Sequence, residues 1–125
     1  MESQAAQKLR NVLSQFTGSE EYWPCRIYPA VQYTSGVHYL AEEAGAYWLI
    51  DEIAMNVGFS QNTALAQESF QVWTLDIRPN RSAWLRVEDG NGKEIYKMRI
   101  PFTDFPLQSI TLYLSNNVLM LPTEY

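Results

Sequence analysis

TSGVHYLAEEAGAYWLIDEIAMNVG, residues 34–58, is the stretch on which the fold turns. Its apolar residues recur at helical spacing, and Leu40, Ala44, Tyr47, Trp48, Ile50, Ala54 and Met55 cover well over half of a helix circumference. A helix apolar on so many sides is buried on more than one of them, so the stretch reads as one long central helix. Thr34 or Ser35 can cap its start, and Glu42 and Glu43 fall in its early turns, where carboxylates suit the positive end of the helix dipole. Gly45 costs about 1 kcal/mol in a helix interior relative to alanine. Close approach by another backbone or an aromatic ring is the expected reason for it, and Gly58 is the expected stop.

One polar residue breaks the pattern. Asp51 shares an angular sector with Leu40, Ala44, Tyr47 and Met55, so its carboxylate is expected to point inward. An unpaired buried carboxylate is costly, so it needs partners. The favoured reading is a structural tie to a tyrosine hydroxyl, a tryptophan N–H, an arginine or a backbone amide. The catalytic alternative pairs Asp51 with Glu52 or Asp104 for general acid–base work in a cleft.

Outward from this helix, the period changes to two at Ser69. Residues 69–78, 82–89, 93–100, 109–115 and 117–122 read as five strands joined by short connections. Pairing Leu75 with Leu85 and Ile77 with Ala83 gathers Trp73, Leu75, Ile77, Ala83, Leu85 and Val87 on one face. The turn Asp89-Gly90-Asn91-Gly92 then sets Glu88 opposite Lys93 and adds Tyr96, Met98 and Ile100 to that face. A slip by one residue would bury Lys97 and Arg99, which favours this register. PFTDFP (101–106) reads as a turn with proline at both ends, and Asn116-Asn117 as a two-residue hairpin turn.

Before the central helix, Ser3 caps a first helix over 3–13 that ends near Gly18. Residues 19–33, with Pro24 and Pro29, read as an ordered, aromatic-rich loop holding one short extended piece. Residues 59–68 read as a loop with a single helical turn. The expected architecture is a single α+β domain over 1–125: a five-stranded antiparallel meander (69–122) with an N-terminal helix and the long central helix packed on one face.

A hydrophobic content of 46% with 14% aromatics argues against disorder, and 125 residues suffice for one packed core. A single cysteine, Cys25, cannot form an internal disulfide and points to a reducing compartment. MESQAAQKLRNVLSQF lacks the apolar core of a secretory signal, and no apolar run approaches the roughly 20 residues of a membrane span. A cytoplasmic protein without a membrane partner is expected. The net charge of −5 lies entirely within residues 35–68, which hold Glu42, Glu43, Asp51, Glu52 and Glu68 and no lysine or arginine. That opposes binding to a phosphate backbone and makes the central region either a solvated acidic face or a surface for a basic partner.

Catalytic signatures are sparse. The chain has no P-loop, dinucleotide fingerprint, nucleophile elbow or His-Glu-x-x-His motif. With one histidine and one cysteine, a zinc site would need carboxylates for most ligands, so no metal and no cofactor are expected. His38 reads as exposed or capping, and Cys25 as an inert thiol with no second histidine to serve as its base. The sheet face opposite the core presents Thr74, Asp76, Trp84, Arg86, Glu88, Ile95, Lys97 and Arg99, with Trp84 opposite Lys97. Trp84, Arg86, Lys97 and Arg99 are the binding candidates there, a basic and aromatic set of the kind that carries single-stranded nucleic acid. A half-solvated face, or one covered by the first helix or a second subunit, is the favoured alternative.

The blocks Tyr33-Thr34-x-Gly36-Val37-x-Tyr39-Leu40-Ala41-Glu42, Gly45-Ala46-Tyr47-Trp48-Leu49-Ile50-Asp51, Thr103-Asp104-Phe105-Pro106-Leu107 and Leu121-Pro122-Thr123-Glu124-Tyr125 resemble a domain-of-unknown-function family of small bacterial proteins, often from mobile elements. The resemblance covers most of the chain from Phe16. It implies that Asp51, Thr103-Asp104 and Glu124-Tyr125 belong to the family pattern and that Glu124-Tyr125 is docked. It brings no activity, cofactor or catalytic residue. The first expectation is therefore a non-enzymatic protein-binding or accessory module using the acidic helix region or the open sheet face, with a protein or a second copy as partner. The alternatives are a carboxylate-based hydrolase or nucleic-acid-processing enzyme using Asp51 and Asp104, and a single-strand nucleic-acid binder. The motif inventory leans away from an enzyme.

Overall fold

The computed structural model describes residues 2–59 and 63–125. The expected single helix is two: α2 (Ser35–Ala44) and α3 (Tyr47–Phe59). Between them Gly45 adopts φ 60° and ψ 41°, and its N–H donates to the Ala41 carbonyl. This left-handed cap is the ordinary way to end a helix with glycine. No atom lies within 4 Å of where a Cβ would stand on Gly45, so backbone handedness, not close packing, explains it. The close approach occurs instead at Gly58, where the Tyr28 ring lies 2.8 Å from the Cβ position. α3 runs one residue past the expected stop at Gly58, to Phe59.

The break resets the helical phase. α3 buries Leu49, Ile50, Ile53 and Ala54, while Tyr47, Asp51 and Met55 run along its margin. Tyr47 is 36% and Met55 39% exposed. Asp51 therefore stands at the rim of the core, not within it.

Both expected N-caps form. Ser3 Oγ accepts from the Ala6 N–H at 3.1 Å, opening α1 (Gln4–Leu13), which buries Ala6, Leu9 and Leu13 and ends before Phe16. Thr34 Oγ1 accepts from the Val37 N–H at 3.4 Å. The helical turn expected after α3 is α4 (Thr63–Gln67); the loop expected at 60–62 lies outside the described residues.

The sheet has seven strands: β1 (Tyr22–Pro24), β2 (Gln32–Thr34), β3 (Phe70–Ile77), β4 (Ala83–Asp89), β5 (Glu94–Ile100), β6 (Ser109–Ser115) and β7 (Val118–Met120), in the spatial order β1-β2-β7-β6-β3-β4-β5. This corrects the five-stranded meander in two respects. The chain does not turn back onto β5. Residues 101–108 cross the end of the β3–β4 hairpin and deliver β6 to the free side of β3, pairing Trp73 with Leu112 and Leu75 with Ile110. The crossover is held by burial of Phe105 and Leu107. The Arg81 guanidinium adds hydrogen bonds to the Thr103 carbonyl at 3.0 Å and the Phe105 carbonyl at 2.7 Å. β6 thereby puts Ile110, Leu112 and Leu114 in the middle of the sheet, where both neighbours cover them.

The second correction concerns residues 19–33, which contain an antiparallel hairpin, Trp23 opposite Tyr33, whose second strand joins β7 in parallel. The sheet is mostly antiparallel and the class α+β. Asn116 and Asn117 make the β6–β7 turn with φ of 50° and 68°, as their side chains allow. The β3–β4 register is the expected one, Leu75 opposite Leu85 and Ile77 opposite Ala83. In β4–β5 an irregularity at Val87/Glu88 places Glu88 opposite Glu94, not Lys93, and Trp84 opposite Arg99, not Lys97. From Ala83 to Val87 the shift is by two residues, so Met98 and Ile100 stay on the face of Leu85 and Ala83; at Glu88 it is by one.

Trp73, Leu85, Val87, Leu112 and Leu119 form one core cluster with Leu9, Val37, Leu40, Leu49 and Ile53 of the helices. Gln71 is the buried polar residue that ties α4 to this core. Its amide donates to the Leu65 and Glu68 carbonyls at 2.9 and 3.1 Å and accepts from Trp73 Nε1 at 2.8 Å.

Candidate functional site

Asp51 meets residues from the two short strands that the sequence pattern concealed. Cys25 and Arg26 follow β1, Tyr33 lies in β2, and Tyr47 stands one turn before Asp51 on α3. Together with Ile50 they border a pocket of about 340 Å³. Cys25 is fully buried, and its N–H donates to the Val31 carbonyl at 2.8 Å. Its thiol lies 3.8 Å from Asp51 Oδ1. Arg26 donates to Asp51 Oδ2 at 2.9 Å. The two partners differ in anchoring: the Asp51 side chain is 14% exposed and that of Arg26 80%. The carboxylate is fixed by the fold, and the guanidinium reaches it from solvent.

The local electrostatics are negative. Burial pushes the Tyr33 hydroxyl above its ordinary range, with Cys25, Asp51 and Glu42 adding to the effect. Burial also raises Tyr47, and a hydrogen bond and the charge of Glu42 raise it further. The hydrogen bond from Arg26 to Asp51, then the carboxylate charge, raises Arg26. Both tyrosines are therefore neutral hydroxyls near neutral pH, and both rings stand beside carboxylates.

His38 is not the exposed or capping histidine expected. Its ring stacks on Trp23 with centroids 4.2 Å apart and planes 4° from parallel, and lies edge-on to Tyr47 at 6.5 Å. It packs against Tyr33 and Tyr47 without bordering the pocket itself.

The other candidates lie elsewhere. Asp104 is exposed on the crossover and, like Glu52, does not border this pocket. Trp84, Arg86, Lys97 and Arg99 do share the open sheet face. Lys97 Nζ sits 4.9 Å from the Trp84 ring centroid, but Arg86 is bonded to Asp76. A larger hollow of about 710 Å³ lies at the end of the β3–β4 hairpin, bordered by Glu2 and Arg81. Three of its four charged side chains are engaged and Arg78 is exposed: Glu2 accepts from Arg10 and from the Gln108 N–H, Asp76 pairs with Arg86, and Arg81 donates to the crossover carbonyls. Among the described residues no three His, Cys, Asp or Glu side chains converge as a metal site would require.

Glu124 holds the pocket's strand in place. It lies in a short 3-10 turn (Pro122–Glu124) after β7. Oε1 accepts from Thr34 Oγ1 at 2.6 Å and the Leu121 N–H at 2.9 Å, and Oε2 accepts from the Gly36 N–H at 3.1 Å. A Cβ on Gly36 would lie 2.5 Å from Leu121 Cδ1 and 2.7 Å from Glu124 Oε1, so glycine makes room for the carboxylate. The β2–α2 junction, and Tyr33 with it, is thus clamped by the last turn of the chain.

A protein family described as a family of unknown function, DUF6876, matches residues 7–125. The chain belongs to that family. The match spans all seven strands, the Asp51 pocket and the Glu124 clamp. No curated protein and no solved structure matches the chain. Sequence reasoning placed Tyr47 on the sector of Asp51 and named a tyrosine and an arginine among its possible partners, but did not identify Tyr33 or Arg26. The signal that could have found them is the aromatic density of residues 19–33, which a free loop does not need.

Proposed function

We propose that this domain is a non-enzymatic protein-binding module acting through the Asp51 pocket in its acidic helix region. The observation that carries it is Asp51 itself: a carboxylate held by the fold at the mouth of a pocket, answered by an arginine that lies in solvent. A buried structural tie would have both partners enclosed. The region's uncompensated acidic charge supports a basic partner, whose encounter it would steer.

The enzyme readings have less support. Cys25 faces a carboxylate, and the single histidine is stacked against Trp23. Asp104 is remote from the pocket lining, so no carboxylate pair is assembled around Asp51. The nucleic-acid reading of the sheet face is weakened by the engagement of Arg86 with Asp76. A second copy on that face is the reading kept for an oligomer. A bacterial cytoplasmic setting accords with the free thiol of Cys25 and with the resemblance noted in the sequence. No helix among the described residues is long and apolar enough to cross a membrane.

The test is selection of peptides from a random display library on the intact protein, followed by binding to two variants. Peptides that bind the wild type and Trp84→Ala but lose affinity for Tyr47→Ala support the pocket. Peptides that lose affinity only for Trp84→Ala refute it in favour of the sheet face.

A further inference from the structure

The charge around Asp51 bears on what enters the pocket. We infer that it takes a positively charged alkyl group, an ammonium or guanidinium, and that the Arg26 side chain is its resident competitor. Four observations converge. The mouth already holds a guanidinium in contact with Asp51 Oδ2 at 2.9 Å, so the geometry for such a group exists. That guanidinium belongs to a side chain 80% exposed, and a solvent-exposed ion pair is weak and readily exchanged. Tyr33 and Tyr47 flank the carboxylate, and aromatic rings attract a cation placed over their faces. Residues 35–68, which supply Asp51, Tyr47 and the nearby Glu42, carry five carboxylates and no lysine or arginine. An anion drawn to Arg26 would face Asp51 and Glu42 instead, at a repulsive site.

The same chemistry has two sources: a lysine or arginine side chain of a partner protein, or a free alkylamine. The inference rests on the pocket reading proposed above, and the test separates the two. Amide spectra of the intact ¹⁵N-labelled protein are followed at low salt with five probes. These are Nα-acetyl-lysine methylamide, its arginine and norleucine counterparts, n-butylammonium and acetate. The cationic probes are expected to shift the Tyr33, Tyr47 and Asp51 amides, and norleucine and acetate are not. Arg26→Ala, at an exposed position, removes the competitor and is expected to tighten cation binding up to about fivefold. Asp51→Asn is expected to weaken it about tenfold or more. If Asp51→Asn fails to fold, Tyr47→Leu replaces it, with a severalfold loss expected. Tighter binding of the capped lysine and arginine than of butylammonium assigns the cation to a protein partner, and the reverse assigns it to a free amine. Acetate binding that Arg26→Ala abolishes overturns the inference while leaving the pocket reading intact. Cation binding that neither variant alters also overturns it. Silence from all five probes, together with selected peptides that ignore Tyr47→Ala, overturns both.

Discussion

Replacing Glu124 by alanine removes one carboxylate and leaves three donors without it: Thr34 Oγ1, the Gly36 N–H and the Leu121 N–H. Thr34, Gly36 and Leu121 are all buried, so water replaces the lost acceptor poorly. Hydrogen bonds to a charged group contribute about 1.5–3 kcal/mol each, but three on one side chain are not additive. Glu124 is itself half-buried, so part of its charge is already solvated. We expect a net cost of about 2–4 kcal/mol, dominated by the two buried amides. For a domain of this size that lowers Tm by about 6–16 °C. Urea unfolding followed by tryptophan fluorescence should show a lower midpoint at unchanged slope, the mark of lost stability without a changed denatured state.

Gly36→Ala supplies the cross-check. Its Cβ would meet the Glu124 carboxylate and Leu121, and overpacking of this kind costs about 1–3 kcal/mol. With Glu124 already alanine, half of that clash is gone, so the double variant should lose about 1 kcal/mol less than the two singles together. A Glu124→Ala protein within about 0.5 kcal/mol of wild type, the range of ordinary surface changes, would refute the clamp and make residues 122–125 a frayed end.

Two further outcomes follow from the fold. Phe105→Ala, at a fully buried position on the crossover, should cost about 3–5 kcal/mol, measured by urea unfolding; a loss under about 1 kcal/mol would mean that the crossover does not anchor β6. The hydrogen bond from Arg10, with help from the Gln108 N–H, lowers Glu2 from 4.5 to about 2. Its contribution is therefore complete above pH 4.5 and lost as pH falls toward 2. Glu2→Gln should be about 1–2 kcal/mol less stable than wild type at neutral pH, a figure reduced for the partly exposed Arg10, and the difference should close by pH 2. A constant difference across that range would show that the carboxylate's charge is not what stabilises the contact.

What the sequence made legible was local. The strands over 83–89 and 109–115, the Asn116-Asn117 turn and the caps at Ser3 and Thr34 each write their cause within a few residues. The helix break was written too, in Gly45, but as a conformational requirement that a glycine cannot distinguish from a packing one. That ambiguity shifted the phase of α3 and put Asp51 too deep. Pairing β6 with β3 instead of β5 left no local trace, because either arrangement satisfies the same alternation. β1 and β2 span three residues each, too short for a period to emerge around Pro24 and Pro29. The Asp51 site fell in that blind region: its arginine lies 25 positions away on a segment whose fold was not readable.

The parallel pairing of β2 with β7 has a consequence for how the chain is made. A ribosome delivers residues 22–44 early and residues 118–124 late, yet the first set reaches the sheet only through the second. The β3–β4–β5 hairpins, whose contacts are close in sequence, can assemble during synthesis. The Asp51 pocket cannot be framed then, because Tyr33's strand lacks its neighbour and the α2 N-terminus lacks the Glu124 carboxylate. Until those late residues emerge, the edge of β2 that pairs with β7 stays open. A stop codon placed before residue 118 would leave most of the core sequence in place and still deprive the protein of its site.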